Sequence, residues 1–379
     1  MNNNKAQSRI LLTGGHLTPA LAVYEKLWQK GYYNVIWVGT KYSQTFSFIK
    51  SAEYTEVRRR EIKFIPIHAG KTWMKWTKAT LFKGLTNFLM IPLGFIEAFF
   101  IVLLYKPKLI VSFGGYIALP LVACGSLLHI PSITHEQTIT KGKSNRMISG
   151  FAKKIMVSWD TSLNEYDSSK VVLTGNPIRQ EILNPSTDIY KFRNDLPIIY
   201  ITGGNQGSNT INWRVYEFLP DLLKIANVIH QTGRSAITHD YEKAVQTYNH
   251  LPNEIKGRYV FFDNIFGPEI GEILNKADLI LTRAGANTVS EIIALGKYAL
   301  FIPIPWSSQN EQQLNAEYAA KLGNGEILLQ RDDMKPNDLF AAIKEALKNA
   351  LTKSKKRILN NPMPVSAADK IFTIIKDEL

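Results

Sequence analysis

The chain has 379 residues, more than one ordinary core accommodates, so two domains are expected. Hydrophobic residues at 45% and charged residues at 20% exclude a disordered chain, and a single cysteine, Cys124, excludes an intrachain disulfide. The formal net charge of +13 suits an anionic partner: nucleic acid, anionic lipid or a phosphorylated substrate.

Residues 1–5 lead straight toward an apolar strand with no signal-peptide pattern, which predicts a cytoplasmic protein. Short β-rich runs at 9–13, 34–38, 108–113, 132–135, 154–158 and 171–173 form a first series of predicted strands. A second series lies at 197–202, 228–231, 259–262, 278–282, 299–304 and 326–330. Helical patterns at 20–30, 209–225, 288–295, 311–322 and 337–350 alternate with them, the signature of parallel sheets covered on both faces. The expected fold is therefore α/β, with two doubly wound, Rossmann-like halves. The first spans 1–178 and the second 197–360, with a linker at 179–196. A closing segment, 361–379, carries a last amphipathic helix that can return to the first half.

Within the first half one stretch is basic and aromatic. Trp73, Lys75, Trp76 and Lys78 interleave indoles with lysines and lead to Phe82. Rings that enter the headgroup boundary beside cationic side chains suit the surface of an anionic membrane. Stacking on nucleobases and burial in a core remain open for the same residues. The apolar stretch 85–105 is interrupted by Asn87, Pro92, Gly94 and Glu97, which predicts a helix packed on the first sheet, not a membrane span.

Polar, glycine-rich turns recur at the strand tips. Gly14-Gly15-His16 and Thr18 follow the first strand; a glycine turn at a helix start brings backbone amides and a positive helix end to a ligand. His16 is a candidate base for a hydroxyl nucleophile, and a histidine bonded within the turn is the plain alternative. Gly114-Gly115-Tyr116, His135-Glu136-Gln137 and Gly175-Asn176-Pro177-Ile178-Arg179 end further strands, and the Arg179 guanidinium suits a diphosphate. In the second half, Gly203-Gly204-Asn205-Gln206-Gly207 lacks the lysine of a P-loop. The run from Arg283 to Glu291 predicts a helix capped by Asn287 or Thr288, with Glu291 in its first turn as a cap or a ribose acceptor. Gln312 and Gln313 open another helix. No Asp-x-Asp triplet and no metal-spaced cluster occurs in the sequence, so no metal and no cofactor are expected.

Taken in this order, these seven motifs resemble the MurG family of glycosyltransferases over nearly the whole chain, from Arg9 to about Leu351. The resemblance implies a GT-B fold, two halves facing a cleft, and inverting, metal-independent transfer of N-acetylglucosamine (GlcNAc) from UDP-GlcNAc. The implied acceptor is the 4-hydroxyl of N-acetylmuramoyl-pentapeptide linked to undecaprenyl diphosphate, in peptidoglycan synthesis at the cytoplasmic membrane face, with no nucleic acid partner. It places Arg179, Asn205 and Gln206 near the diphosphate, Glu291 at the ribose, and the Phe262-Asp263-Asn264 loop at uracil. It places Ala286, Thr288, Gln312 and Gln313 near GlcNAc. The acceptor would meet Gly14, Gly15, Thr18, Tyr116 and Gln137, with His16 as base and Glu136 as the second candidate.

Three departures stand out. Leu11-Leu12-Thr13 replaces the family's additional Gly-Gly pair, Thr138 replaces an asparagine, and the 262–274 stretch is longer. A transferase for another lipid acceptor, a UDP-GlcNAc 2-epimerase and a non-catalytic nucleotide-sugar or nucleic-acid module are the alternative expectations.

Overall fold

A computed structural model describes residues 8–42, 50–70, 81–185, 187–204, 207–235, 237–265, 267–353 and 366–379, with backbone alone at 81–85 and 353. Trp73, Lys75, Trp76, Lys78, Asn205 and Gln206 lie outside the described residues, as does the side chain of Phe82. The chain divides into two compact units, Met1–Pro177 with Val365–Leu379, and Ile178–Pro364.

The first unit is built on seven strands: β1 (Ile10–Thr13), β2 (Val35–Gly39), β3 (Lys63–Pro66), β4 (Leu109–Ser112), β5 (Ser132–Glu136), β6 (Lys154–Val157) and β7 (Val171–Leu173). They lie in the order β3-β2-β1-β4-β5-β6-β7, every pair parallel. The runs Ile-Leu-Leu-Thr, Val-Ile-Trp-Val-Gly and Leu-Ile-Val-Ser are buried at every position, because helices cover both faces. On one face α1 (Leu17–Gln29) packs with Ile371 and Ile375 of the closing helix (Ala367–Asp377). Lys26 pairs with Asp369, and Tyr32 meets Phe372 edge-on at 5.8 Å, fastening that helix to this unit. On the other face lie α3 (Leu81–Tyr105), α4 (Ala118–Leu127) and α5 (Lys143–Phe151); α2 (Ala52–Arg59) lies beside β2 and β3. β3 is an edge strand with no counterpart in the predicted set. Only four residues long, half-buried, and bounded by Lys63 and Pro66, it lacks the apolar run that marks a central strand.

α3 shows why its polar residues did not end it. Glu97 accepts from the His68 backbone N–H (2.6 Å) and meets the His68 ring Nδ1 at 2.8 Å, so its carboxylate has a partner in the 67–70 loop. Gly94 and Gly70 allow that loop to close on the helix; a Cβ on Gly70 would lie 2.1 Å from the Asn87 carbonyl oxygen. Ala98, Ile101 and Val102 are buried, whereas Leu89, Leu93, Ile96, Phe100, Leu103 and Leu104 are exposed at helical spacing. Thr86–Tyr105 is long and apolar enough to cross a membrane by composition, and one face is packed on α4.

The second unit has six parallel strands: β8 (Ile198–Thr202), β9 (Asn227–Gln231), β10 (Tyr259–Phe262), β11 (Leu279–Thr282), β12 (Ala299–Phe301) and β13 (Gly325–Ile327). Their order is β10-β9-β8-β11-β12-β13. The helices are α6 (Gln180–Leu183), α7 (Asn209–Ile225), α8 (Asp240–Asn249), α9 (Asn253–Lys256), α10 (Pro268–Lys276), α11 (Ala286–Ala294), α12 (Glu311–Lys321) and α13 (Pro336–Lys353). α7 and α13 enclose the larger core against β8, β9, β11 and β12. The segment read as a linker is packed into this unit. α6 lies so close to α10 that a Cβ on Gly271 would stand 1.8 Å from the Glu181 carbonyl oxygen, and Glu272 accepts from the Tyr190 amide at 2.7 Å.

Candidate functional site

Each sheet has one place where the strand order reverses, between β1 and β4 in the first unit and between β8 and β11 in the second. Connections leave these neighbouring strands in opposite directions, so the turns at their carboxyl ends open a crevice.

In the first unit the crevice is lined by Gly14-Gly15-His16 and Gly114-Gly115-Tyr116. The two turns meet backbone to backbone: a Cβ on Gly15 would stand 2.1 Å from the Gly114 carbonyl oxygen, and Gly114 and Gly115 have φ of +73° and +80°. His16 is the N-cap of α1 and makes no side-chain capping bond. Burial lowers its imidazole below the ordinary value, against a pull upward from Glu136, so the ring is neutral at neutral pH. Behind it, His135 is wholly buried and held at about 4 by that burial. Its Nε2–H donates to the Gly175 carbonyl (3.0 Å), leaving Nδ1 with a lone pair. Thr18 and Tyr116 are half-buried at the mouth of these turns, and burial followed by the nearby Glu53 carboxylate pushes the Tyr116 hydroxyl up.

Glu136 is differently occupied. Its Oε1 accepts from the Thr138 amide (3.2 Å) and hydroxyl (2.7 Å). Its Oε2 accepts from the Gly142 amide (3.1 Å), Asn145 Nδ2 (2.8 Å) and the Tyr166 hydroxyl (3.2 Å). Five donors fill both oxygens and tie this carboxylate to the 138–145 turn. Thr138, the departure from the family's asparagine, supplies two of those bonds. Gln137 is buried, and its backbone carbonyl accepts from Trp159 Nε1 (2.8 Å).

In the second unit Ser208, at the start of α7, meets Arg283. Arg283 reaches across with Nε and Nη2 to Ser208 Oγ (3.1 and 2.7 Å) and with Nη1 to the Ile302 carbonyl (2.9 Å). This arginine is a strut between the turns. α11 begins at Ala286 with Gly285 as N-cap, which corrects the expected cap: Asn287 and Thr288 are inside the first turn. The helix starts two residues early because Gly285 takes the extended cap conformation without a side chain. Glu291 therefore falls in the second turn, beyond reach of a capping role.

There Glu291 is half-buried, and its carboxyl is raised by desolvation, pulled down by Arg179 and pushed up by Glu181. Arg179 lies between the two acids, Nη1 2.5 Å from Glu181 Oε1 and Nη2 3.8 Å from Glu291 Oε1. The resemblance put Arg179 at the diphosphate and Glu291 at the ribose; the sequence had no signal for Glu181. Gln312 is held at the start of α12 by its Oε1, which accepts from the Ile304 amide at 3.1 Å and leaves its NH₂ to donate. Gln313 turns to Glu317 on its own helix (2.9 Å). Asn315 Nδ2 donates to the Ala284 carbonyl (3.0 Å), tying α12 to the glycine turn. At the end of β10, the Phe262 ring meets Tyr190 edge-on at 5.7 Å and Asp263 faces Arg234 at 3.3 Å. Ala286 is buried and Thr288 half-buried beside Gly285.

Comparison with known proteins follows this geometry. Residues 13–157 match the glycosyltransferase family 28 N-terminal domain, and residues 198–370 match its C-terminal domain. The chain is 34% identical over 346 residues to a UDP-N-acetylglucosamine--N-acetylmuramyl-(pentapeptide) pyrophosphoryl-undecaprenol N-acetylglucosamine transferase of Clostridium kluyveri, covering 89% of this chain and 90% of the relative. The fold is similar to the crystal structure of Acinetobacter baumannii MurG, with a TM-score of 0.67, 25% identity and 98% and 99% of the two chains covered. It is also similar to a putative UDP-N-acetylglucosamine 2-epimerase from Listeria monocytogenes, TM-score 0.63 at 12% identity over 97% and 96%, a likeness of fold alone. Full-length kinship, the two matched domains and a glycine-lined switch point in each sheet lead to one assignment: the chain belongs to glycosyltransferase family 28, among the MurG-type N-acetylglucosaminyltransferases.

Proposed function

We propose that this protein transfers GlcNAc from UDP-GlcNAc to N-acetylmuramoyl-pentapeptide carried on undecaprenyl diphosphate. The observation that carries the reading is the 34% identity, over 89% of the chain, to a curated transferase of that activity. The local chemistry fits it. The acceptor's diphosphate lies against the Gly14-Gly15 amides and the start of α1, where helix dipole and free N–H groups favour an anion. His16, neutral and uncapped, takes the proton of the acceptor 4-hydroxyl as its oxygen bonds to C1 of GlcNAc. The C1–O bond to UDP breaks with inversion, and the electron pair leaves on the diphosphate. Arg179 and the positive start of α7 offset that charge in place of a metal. Glu291 accepts from the ribose hydroxyls, and the Gln312 NH₂ donates to the sugar.

Attachment to a membrane surface is part of the reading. The exposed stripe of α3, including Phe100 and Leu104 at 60% and 74% exposure, supports it, as does the basic aromatic run just before that helix. Radiolabelled UDP-GlcNAc incubated with the muramoyl-pentapeptide lipid tests the function. Label should pass into the lipid fraction, at an undiminished rate in EDTA. Epimerisation without acceptor, or no lipid product, sinks it. Flotation with anionic vesicles tests attachment, and a Phe100/Leu104 double serine variant should stay with the soluble fraction.

A further inference from the structure

One acidic side chain of the first unit is used by none of these steps. Glu53 sits in the first turn of α2, and its carboxylate points back under the switch point. Oε1 accepts from the Trp37 indole N–H at 2.8 Å and Oε2 from the Thr40 amide at 3.1 Å. Two glycines make room for this pair. A Cβ on Gly39 would lie 2.5 Å from Glu53 Oε1; one on Gly14 would lie 2.6 Å from Trp37 Cζ2 and 3.3 Å from Glu53 Oε1. The first glycine turn thus rests directly on the Trp37 ring and the Glu53 carboxylate, with the fully buried ring as the prop.

We propose that Glu53 is a positioning residue of the acceptor turn: with Trp37 it sets the Gly14-Gly15 backbone, and its charge weakens that turn's hold on an anionic acceptor. The inference rests on the reading that the acceptor's diphosphate lies at this turn. The donors that the structure places on this carboxylate, the Trp37 indole and the Thr40 amide, are neutral. From β1 the facing residue is Gly14, with His16 two residues on; from β2 and its end, Trp37, Gly39 and Thr40. From the turn after β4 it is Tyr116, whose hydroxyl Glu53 pushes up, and from its own helix Tyr54. Lys41 and Lys50 stand over the Tyr54 ring at 5.8 and 5.7 Å. Burial outweighs the Trp37 and Thr40 bonds and holds the carboxyl at about 7, so it gains charge within the working range. The acceptor diphosphate, a diester, keeps its charge throughout that range. Below about pH 7 the carboxyl is neutral and the turn meets the anion unopposed; above it the new charge repels the ligand through a poorly screened path.

The test is the acceptor KM from about pH 6 to about pH 8, with saturating UDP-GlcNAc, for the wild type, Glu53→Gln and Trp37→Phe. The wild-type KM should rise about tenfold across this range, while the UDP-GlcNAc KM stays level. Glu53→Gln, of the same shape and without a charge, should remove the rise. Trp37→Phe deletes the donor that favours the ionised form and should move the inflection to higher pH, so the proposal remains testable if Glu53→Gln does not fold. A level wild-type KM, a Glu53→Gln profile that matches the wild type, or an unmoved inflection in Trp37→Phe overturns it. Absence of transfer by the wild type at every pH would instead remove the functional reading beneath it.

Discussion

The two units share a sheet plan and differ in what they place at its switch point. In the first, the glycine turns touch through bare backbone, and the groups around them are imidazoles and carboxylates: His16, His135, Glu136 and Glu53. In the second, a side chain spans the gap, Arg283 to Ser208, and a second arginine, Arg179, lies between Glu181 and Glu291. In the proposed reaction the first crevice supplies the base, and the second the cation that faces the leaving diphosphate. A shared strand order thus supplies the crevice in each unit, and the side chains placed there differ in charge.

The largest test of that division is His16→Ala. It should lower kcat by about 10²–10⁴-fold with little change in UDP-GlcNAc affinity, since the base belongs to the acceptor unit. Steady-state rates at varied donor decide it, and an equal loss in donor binding would erase the contrast. Glu136→Ala comes next, with a different signature. Removing an acceptor of five donors should destabilise the fold by about 3 kcal/mol or more, read as a lowered thermal midpoint. If stability holds and only turnover falls, Glu136 is a base after all.

Acid sharpens the comparison from below, because each unit buries one neutral histidine. Burial holds His135 at about 4 and His230 at about 3, beneath the ordinary 6.5. Their folded-state values are depressed, so this contribution is complete above about pH 6.5 and is lost as pH falls toward 4. It amounts to about 3 kcal/mol for each ring by about pH 4. Denaturant titrations followed separately in each unit should weaken in parallel over this window.

In the second unit, Glu291→Ala should weaken UDP binding about tenfold to a hundredfold in calorimetry, with His16-dependent turnover retained at saturating donor. An unaltered affinity removes the ribose assignment. The smallest effect is expected of Ser208→Ala. Losing the oxygen that Arg283 grips should cost about 1 kcal/mol of stability and leave acceptor KM unchanged.

Much of the fold was legible along the chain, and the reason is visible in the strands. The buried runs of β1, β4 and β11 are continuous apolar stretches that a parallel sheet covered on both faces demands. β3 was not legible because an edge strand of four residues has no such demand on it. Of the candidate site, the glycine turns, His16 and Arg179 could be found from their places at strand ends, and Glu291 from the helix that follows one. Asn145, Tyr166, Glu53, Trp37 and Glu181 could not: each lies remote in sequence from, or unremarkable beside, the group it serves. Nothing in spacing says that a carboxylate on α2 will reach an indole on β2 below a turn after β1.

What the amino-acid order determined, then, is the period of the elements and the positions of glycines at their ends, since both follow from local backbone and burial rules. Tertiary structure decided the charge and duty of each polar group. Whether His16 is neutral, Glu136 saturated or Glu53 poised near neutrality depends on burial and on donors supplied by distant segments, and those arise only when the sheet closes on its helices.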